Sequence, residues 1–171
     1  NAAVEAENRG PTTILTPEQQ RRLGIQLGEK FDVMQLSRIY PLAPELAAGS
    51  DWINGAPLTL SSLRGKVVLV IFYSHMNPHC QADFPTYRRW IADLSQKDVV
   101  LLGVHASESV ADRDVDAIRS SANDCGLSFP VMLDPESRQW QAWGNTTRPY
   151  LFVIDRQGYI RHWWQGELNW Q

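Results

Sequence analysis

Two stretches rich in apolar and β-branched residues, Val67–Phe72 and Val99–His105, carry the strongest pattern along the chain. Stretches of this length and composition are typical of central strands that are buried on both faces of a sheet. The residues between them, Pro78–Lys97, include no glycine and are predicted to form a helix in which Pro85 produces a kink. The pattern therefore predicts a strand, a helix and a second strand in succession.

The remaining pattern extends this unit to a complete domain over residues 51–171. It predicts a second helix over Ala111–Asp124 and a third strand over Phe129–Leu133. A hairpin follows, with strands at Tyr150–Asp155 and Tyr159–Trp164 on either side of a turn. Because strands that alternate with helices pair in parallel through right-handed crossovers, the sequence predicts an α/β domain with a central mixed sheet flanked by helices.

Residues 1–50 are predicted to be an N-terminal extension of that domain. Thr16-Pro17-Glu18-Gln19 provides an N-cap, a proline at the first helical position and a capping-box glutamine, so a short helix is expected to end near Leu27. Phe31–Leu36 is expected to form a strand. A linker at the end of the extension is indicated by Pro41, Pro44 and Gly49-Ser50.

Composition and charge narrow the classes of function. With 171 residues and a net charge of −3, the chain can bury one core and is not expected to bind nucleic acid. Its longest apolar stretch, Val67–Tyr73, is far too short to cross a bilayer. Membrane anchoring would therefore need a segment outside this sequence.

The segment Ser74–Pro85, after the first predicted strand, has the layout of a thioredoxin-type active site with one cysteine missing. In such sites two cysteines separated by two residues lie at a helix N-terminus, where free N–H groups and the helix dipole stabilise a thiolate on the first cysteine. Here Cys80 occupies the second position and Asn77 the first. Because an amide cannot attack a disulfide, the sequence predicts that dithiol exchange is absent.

The chain resembles the extracytoplasmic thioredoxin-like proteins of the TlpA/DipZ type from about Trp52 to Trp170. The matching segments outside the motif are Trp52-Ile53-Asn54, Pro57–Leu60, Leu63–Val70, Gly103–Glu108, Gly126–Pro130 with Leu133-Asp134, and Pro149–Asp155 with Gly158, Ile160-Arg161 and Gly166-Glu167. This resemblance implies a thioredoxin-like fold, a thiol-disulfide oxidoreductase or redoxin function, and no cofactor. The implied partners are protein thiols or disulfides, small thiols or peroxides, and the implied location is periplasmic or at the cell surface.

Polar and sulfur-containing side chains are predicted to converge on one edge of the sheet, since ligands of open α/β sheets gather outside the carboxyl ends of parallel strands. The resemblance identifies Pro149 as the cis-proline that faces the active site, and Arg148 as the residue whose backbone contacts an extended substrate. Arg148 would also bring a cation close to Cys80. The residues at the ends of the first two strands are His75, Met76, Asn77, His79, Cys80 and His105.

Two features of the motif have alternative interpretations. Asn77 followed by Pro78 is a good N-cap pair, and its amide could instead donate a hydrogen bond to a ligand held over Cys80. Burial would raise the pKa of the Cys80 thiol, whereas the helix N-terminus and His79 would lower it and favour a reactive thiolate. Cys125 is expected at the opposite edge of the sheet, too far from Cys80 for a disulfide.

Three functions follow as hypotheses. The first is single-thiol redox chemistry at Cys80, with His79, Asn77 and Arg148 beside it. In support of this hypothesis, Met76–Cys80 resembles the Met-Thr-Pro-Gly-Cys string of some peroxiredoxins if a one-residue gap is allowed. The second is a redox-inactive fold that binds a protein or peptide at the cis-proline. The third is a copper(I)-binding module, since soft sulfur ligands suit that ion, with the ligands His75, Met76, His79, Cys80 and His105.

Overall fold

The structure is a computed structural model that describes residues 16–19, 21–22 and 40–168. The chain divides into two compact units, Asn1–Ile39 and Tyr40–Gln171. In the first unit the predicted capping box is present, because the backbone N–H groups of Thr16 and Gln19 each donate to the other residue's side chain. The described residues after Thr16 are helical. The predicted end of this helix and the strand at Phe31–Leu36 lie outside the described residues.

Among residues 40–168, the second unit contains a six-stranded mixed sheet. Its strands are β1 (Trp52–Ile53), β2 (Val67–Tyr73), β3 (Val99–Ala106), β4 (Val131–Asp134), β5 (Tyr150–Ile154) and β6 (Ile160–Gln165). In space they follow the order β1-β4-β3-β2-β5-β6. Strands β2, β3 and β4 run parallel, whereas β1, β5 and β6 are antiparallel to their neighbours. The predicted mixed sheet is confirmed.

The same described residues form three α-helices and two short 3₁₀ turns. The helices are α1 (Pro78–Leu94), α2 (Val115–Asp124) and α3 (Arg138–Ala142), and the 3₁₀ turns are Ser61–Leu63 and Ala111–Arg113. The first predicted helix continues through Pro85 and ends slightly earlier than expected. Neither α3 nor β1 is predicted from the sequence, because elements of 5 and 2 residues are too short to show a hydrophobic period.

The second predicted helix starts later than expected, and its first residues form the 3₁₀ turn instead. The cause is the side chain of Asp114, which accepts hydrogen bonds from the N–H groups of Asp116 and Ala117 and so caps α2 at its N-terminus. Asp112, within the turn before this cap, is consequently outside the regular helix and buried.

Strand β2 separates two apolar clusters, one on each face of the sheet. On one face Phe72 packs among aromatic rings, with ring centroids 5.3 Å from Trp143 and 5.9 Å from Phe152. On the other face Tyr73 meets Phe84 of α1 edge to face, at 5.9 Å between centroids. The predicted burial of this strand on both faces is therefore confirmed.

The segment predicted as a linker pairs with the sheet within the second unit. The N–H of Ala43 donates to the carbonyl of Gly158, and the N–H of Ile160 donates to that of Pro41. A side-chain hydrogen bond from Gln139 of α3 to the carbonyl of Glu45 adds a second attachment. This segment therefore contributes to the compact unit that begins at Tyr40.

The topology places three loops at one edge of the sheet. Tyr73 at the end of β2 pairs with His105 of β3, and Tyr150 at the start of the antiparallel β5 pairs with Phe72. The loops that leave β2 and β3 therefore meet the loop that enters β5. We call the resulting surface the carboxyl edge, formed by Ser74–Asn77, Ser107–Asp112 and Arg148-Pro149. No helix among the described residues combines the length and apolar character needed to span a membrane.

Gly103 in β3 should not accept a side chain. A Cβ atom there would lie 2.9 Å from Phe129 Cε2, 3.0 Å from Val131 Cγ2 and 3.1 Å from Tyr73 Cε1. Overpacking of this kind costs about 1–3 kcal/mol, so Gly103→Ala should lower the free energy of unfolding by that amount in urea titrations. In a double-mutant cycle, Phe129→Leu should recover part of the loss because it removes the closest ring. Strictly additive free-energy changes for the two substitutions would contradict this explanation.

Candidate functional site

Asn77 caps the N-terminus of α1. Its backbone is extended, with φ −80° and ψ 120°, and its Oδ1 accepts the N–H groups of His79 at 2.9 Å and Cys80 at 3.3 Å. Pro78 fills the first helical position, where no N–H is needed. The interpretation of Asn77 as an N-cap is confirmed, and such a cap contributes about 1 kcal/mol relative to alanine.

The amide nitrogen of the Asn77 side chain also forms a hydrogen bond. Its Nδ2 donates to Glu108 Oε1 at 2.9 Å, and the same carboxylate oxygen lies 3.6 Å from a guanidinium nitrogen of Arg148. Asn77 therefore connects the loop after β2 with the loop after β3 and, through Glu108, with the loop before β5. The donor and the acceptor of the Asn77 amide therefore both have partners.

Cys80 lies under this cap and is fully buried in the apolar cluster on the α1 face. Burial raises the pKa of the Cys80 thiol to about 12, and the carboxylate of Glu108 acts in the same direction. A backbone hydrogen bond with Ser74 and the charge of Arg148 lower the pKa but do not offset the burial. The thiol is therefore protonated near neutral pH. Cys80 and Cys125 are both free, in agreement with the expectation that they form no disulfide.

Met76 and His79 face away from the buried thiol region and towards solvent. The Met76 side chain is 53% exposed. The His79 ring is 68% exposed, and its Nδ1 forms a close ion pair with Glu167. His79 thus has a carboxylate partner of its own near the C-terminal end of the described chain, which the sequence did not suggest.

His75 and His105 come together at the carboxyl edge with Asp112. His75 Nδ1 lies 2.8 Å from Asp112 Oδ1 and 3.1 Å from His105 Nε2, and His105 Nε2 lies 3.4 Å from the same Asp112 oxygen. The side chains of His105 and Asp112 are each 1% exposed. Among the described residues this is the one cluster of three or more His, Cys, Asp or Glu side chains with such converging donor atoms.

The charge state of this cluster follows from its contacts. Burial would raise the pKa of Asp112, but the side-chain contact with His105 and the N–H of Glu108 hold it below its usual value. For His75, burial and the neighbouring His105 lower the pKa, and Asp112 opposes them only in part. The cluster therefore combines an Asp112 carboxylate of lowered pKa with a His75 imidazole of lowered pKa.

Sequence reasoning missed Asp112 because it was assigned to a helix. The residue lies in the segment that directly follows β3, at the edge where polar groups were expected to converge. The sequence signal for Asp112 is its place a few residues after β3, a strand that has His105 near its end.

The peptide bond between Arg148 and Pro149 is cis. The Arg148 guanidinium stacks over Trp140 with its Cζ 3.8 Å from the ring centroid, and its Nε donates to the carbonyl of Ala106 at 3.0 Å. Arg148 is consequently held in place by packing and is only 14% exposed. Among the described residues, its backbone N–H and C=O groups have no hydrogen-bond partner.

Comparison with known proteins identifies the relationship. The AhpC/TSA family model matches residues 42–163. The chain belongs to the AhpC/TSA family. Protein DipZ of Mycobacterium bovis is 31% identical over 132 residues, which make up 74% of this chain and 19% of DipZ. The thiol-disulfide oxidoreductase YkuV of Bacillus subtilis is 26% identical over 123 residues, or 72% of this chain and 82% of YkuV.

A solved structure supports the same relationship. A thiol-disulfide isomerase from Corynebacterium glutamicum superposes with a TM-score of 0.65 at 25% identity, over 74% of this chain and 88% of that one. The thioredoxin-like fold and the resemblance to DipZ are therefore confirmed, and the relatives include thiol-disulfide oxidoreductases. The chain spans about a fifth or less of the length of the first curated relatives that it matches.

Cys80 should resist alkylation in the native protein. An ordinary thiol has a pKa near 8.5, whereas burial raises the pKa of Cys80 to about 12, so iodoacetamide at pH 7–8 should leave it unmodified. Half-buried Cys125 is the internal control and should be labelled first. Mass spectrometry of peptides from protein treated between pH 6 and pH 10 would measure both rates. Labelling of Cys80 at pH 7 as fast as that of Cys125 would contradict the burial argument.

Proposed function

We propose that this protein is a redoxin-family binding domain, which holds an extended segment of a partner protein beside the cis-proline and does not perform dithiol exchange. The observation that carries the proposal is the state of the two motif positions. Asn77 caps the helix and bridges to Glu108, and Cys80 is fully buried beneath it. The scaffold of a thiol-disulfide oxidoreductase is thus retained without an accessible thiolate.

The absence of exchange follows from the chemistry of disulfides. Exchange begins when a thiolate attacks a disulfide sulfur, and a mixed disulfide is resolved by a second thiol. Cys80 is protonated and has no cysteine partner within the motif, and Asn77 can neither attack nor resolve. A turnover cycle between dithiol and disulfide therefore has no starting group and no resolving group.

The binding surface is supported by groups at the carboxyl edge that lack partners. An extended peptide can pair with free backbone N–H and C=O groups as an added strand does, and Arg148 offers both next to a buried proline. Met76 supplies an exposed apolar side chain on the same edge. Trp140 and Glu108 fix the Arg148 side chain, so its backbone is presented in one orientation.

The two other hypotheses find less support in the geometry. Single-thiol chemistry at Cys80 with His79 and Arg148 would need the thiol to be exposed and ionised, but it is buried with a pKa raised to about 12. Of the histidines and cysteine in the copper(I) set, only His75 and His105 join a donor cluster among the described residues. His79 pairs with Glu167 instead.

The names of the relatives suggest a chemical class of partner but no individual protein. Thiol-disulfide oxidoreductases act on protein thiols and disulfides, so we propose a protein as the partner and no nucleic acid, in keeping with the net charge of −3. A location outside the cytoplasm stays a prediction from the resemblance to the TlpA/DipZ type.

Peptide binding tests the proposed function directly. An array of overlapping peptides with every cysteine replaced by serine should yield binders that shift the NMR signals of the Met76 and Arg148 amides. Met76→Asp should weaken binding about tenfold or more because it places a charge on the contact surface. Leu42→Asp is the matched control, since Leu42 is also exposed but bridges to Tyr159 at the far end of β5.

Two outcomes of this test would count against the binding function. In the first, no peptide moves the Arg148 amide at any concentration. In the second, Cys80→Ser abolishes the interaction, which would return weight to single-thiol chemistry at Cys80.

Restoring the first cysteine should restore exchange. Asn77→Cys places a thiol at the helix N-terminus, where the free N–H groups lower its pKa, with Cys80 positioned to resolve a mixed disulfide. We expect the variant to catalyse the reduction of insulin by dithiothreitol, and Asn77→Ser, which keeps a capping side chain, to remain inactive. A folded Asn77→Cys variant without activity would show that the rest of the site has diverged as well.

A further inference from the structure

We propose that His75, His105 and Asp112 form a binding site for a divalent first-row transition-metal ion, with Zn²⁺ as the defining probe. The proposal rests on the side chains of the carboxyl edge and does not depend on the peptide-binding function. It also differs from the copper(I) hypothesis, because it uses a carboxylate in place of both sulfur atoms and of His79.

The spacing of the three donor atoms suits a single ion. Zinc binds imidazole nitrogens and carboxylate oxygens at about 2.0–2.2 Å in tetrahedral geometry, which places neighbouring donor atoms roughly 3.3 Å apart. The three separations among His75 Nδ1, His105 Nε2 and Asp112 Oδ1 are 2.8, 3.1 and 3.4 Å. One ion above the plane of these atoms would reach all of them with only small side-chain shifts.

The hydrogen bond of His105 also suits a metal ligand. His105 Nε2 accepts the backbone N–H of His75 at 3.1 Å, so this nitrogen has its lone pair on the side of the cluster. Metal ligation needs such a lone pair on an unprotonated ring nitrogen. A bound ion would take the Nε2 lone pair of His105, to which the backbone N–H of His75 now donates.

One buried oxygen of the Asp112 carboxylate faces both imidazoles and accepts no hydrogen bond within the part of the chain that the structure describes. Asp112 Oδ1 is buried and has no hydrogen bond of good geometry among the described residues, although two imidazole nitrogens surround it. The other oxygen, Oδ2, accepts the N–H of Glu108 at 2.9 Å. The carboxylate is thus oriented by a hydrogen bond from the backbone, as metal ligands are oriented by their outer contacts, while Oδ1 stays directed at the histidines.

The site would be open on one side. The His75 side chain is 12% exposed, so an ion can enter past it, whereas the other two ligands are closed off from solvent. Three protein ligands leave a fourth position for water or for a group of a bound molecule. Two imidazoles and one carboxylate favour zinc and its neighbours over magnesium or calcium, which prefer oxygen ligands.

Calorimetric titration of the purified, metal-free chain with Zn²⁺ tests the site. We expect one ion per chain, and affinity reduced about 10- to 100-fold or more in His75→Gln and in Asp112→Asn. His79→Gln and Cys80→Ser are the matched controls, because these residues lie outside the cluster, and both should bind as the parent chain does. No stoichiometric Zn²⁺ binding by the parent chain, or a loss of binding in either control, would overturn the proposal.

Two further readouts separate ligation from damage to the fold. Co²⁺ bound by nitrogen and oxygen should give visible absorption bands without the intense near-ultraviolet band of a thiolate ligand, whereas that band would assign the ion to a cysteine. Zn²⁺ should raise the Tm of the parent chain, as a ligand of the native state does. His75→Gln, at the accessible rim, should fold but show no such rise, and an equal rise in that variant would also overturn the site.

Discussion

The capped N-terminus of α1 is the interaction on which the carboxyl edge depends. One planar amide, that of Asn77, ends the helix through Oδ1 and reaches Glu108 through Nδ2. Glu108 in turn lies beside Arg148, whose guanidinium is packed on Trp140. The Asn77 side chain therefore couples the loop after β2 to the loops around it. A cysteine side chain has no amide group with which to make these hydrogen bonds.

The same edge holds two buried ionisable groups in opposite states. Asp112 is charged because hydrogen-bond donors and histidines surround its carboxylate, so that its pKa is lowered in spite of burial. Cys80 is neutral because it is enclosed by apolar side chains, with the Glu108 carboxylate as an additional unfavourable charge. Burial alone does not decide ionisation here. The polar partners that each loop supplies decide it.

The sequence predicted the fold well where elements are long and apolar. Strands β2 and β3 appear close to their expected bounds because burial on both faces leaves a clear pattern. Helix α1 also appears close to its expected bounds, since the stretch that forms it contains no glycine. Boundaries set by a single side chain were harder to predict. The Asp114 cap moved the start of α2 and left Asp112 in a 3₁₀ turn, and α3 is too short for any period to show.

The sequence by itself determined that Asn77 and Pro78 precede a helix that carries Cys80, that the domain is α/β with a mixed sheet, and that histidines gather at one edge of that sheet. These conclusions depend on residue identity and on periodicity, which are local properties, whereas the thioredoxin-like fold came from the family resemblance. Only the tertiary structure decided that Cys80 is sealed from solvent, that His79 pairs with Glu167, and that Asp112 joins the two histidines. Burial and contacts across loops arise from how distant segments pack, and no local pattern in the chain records them.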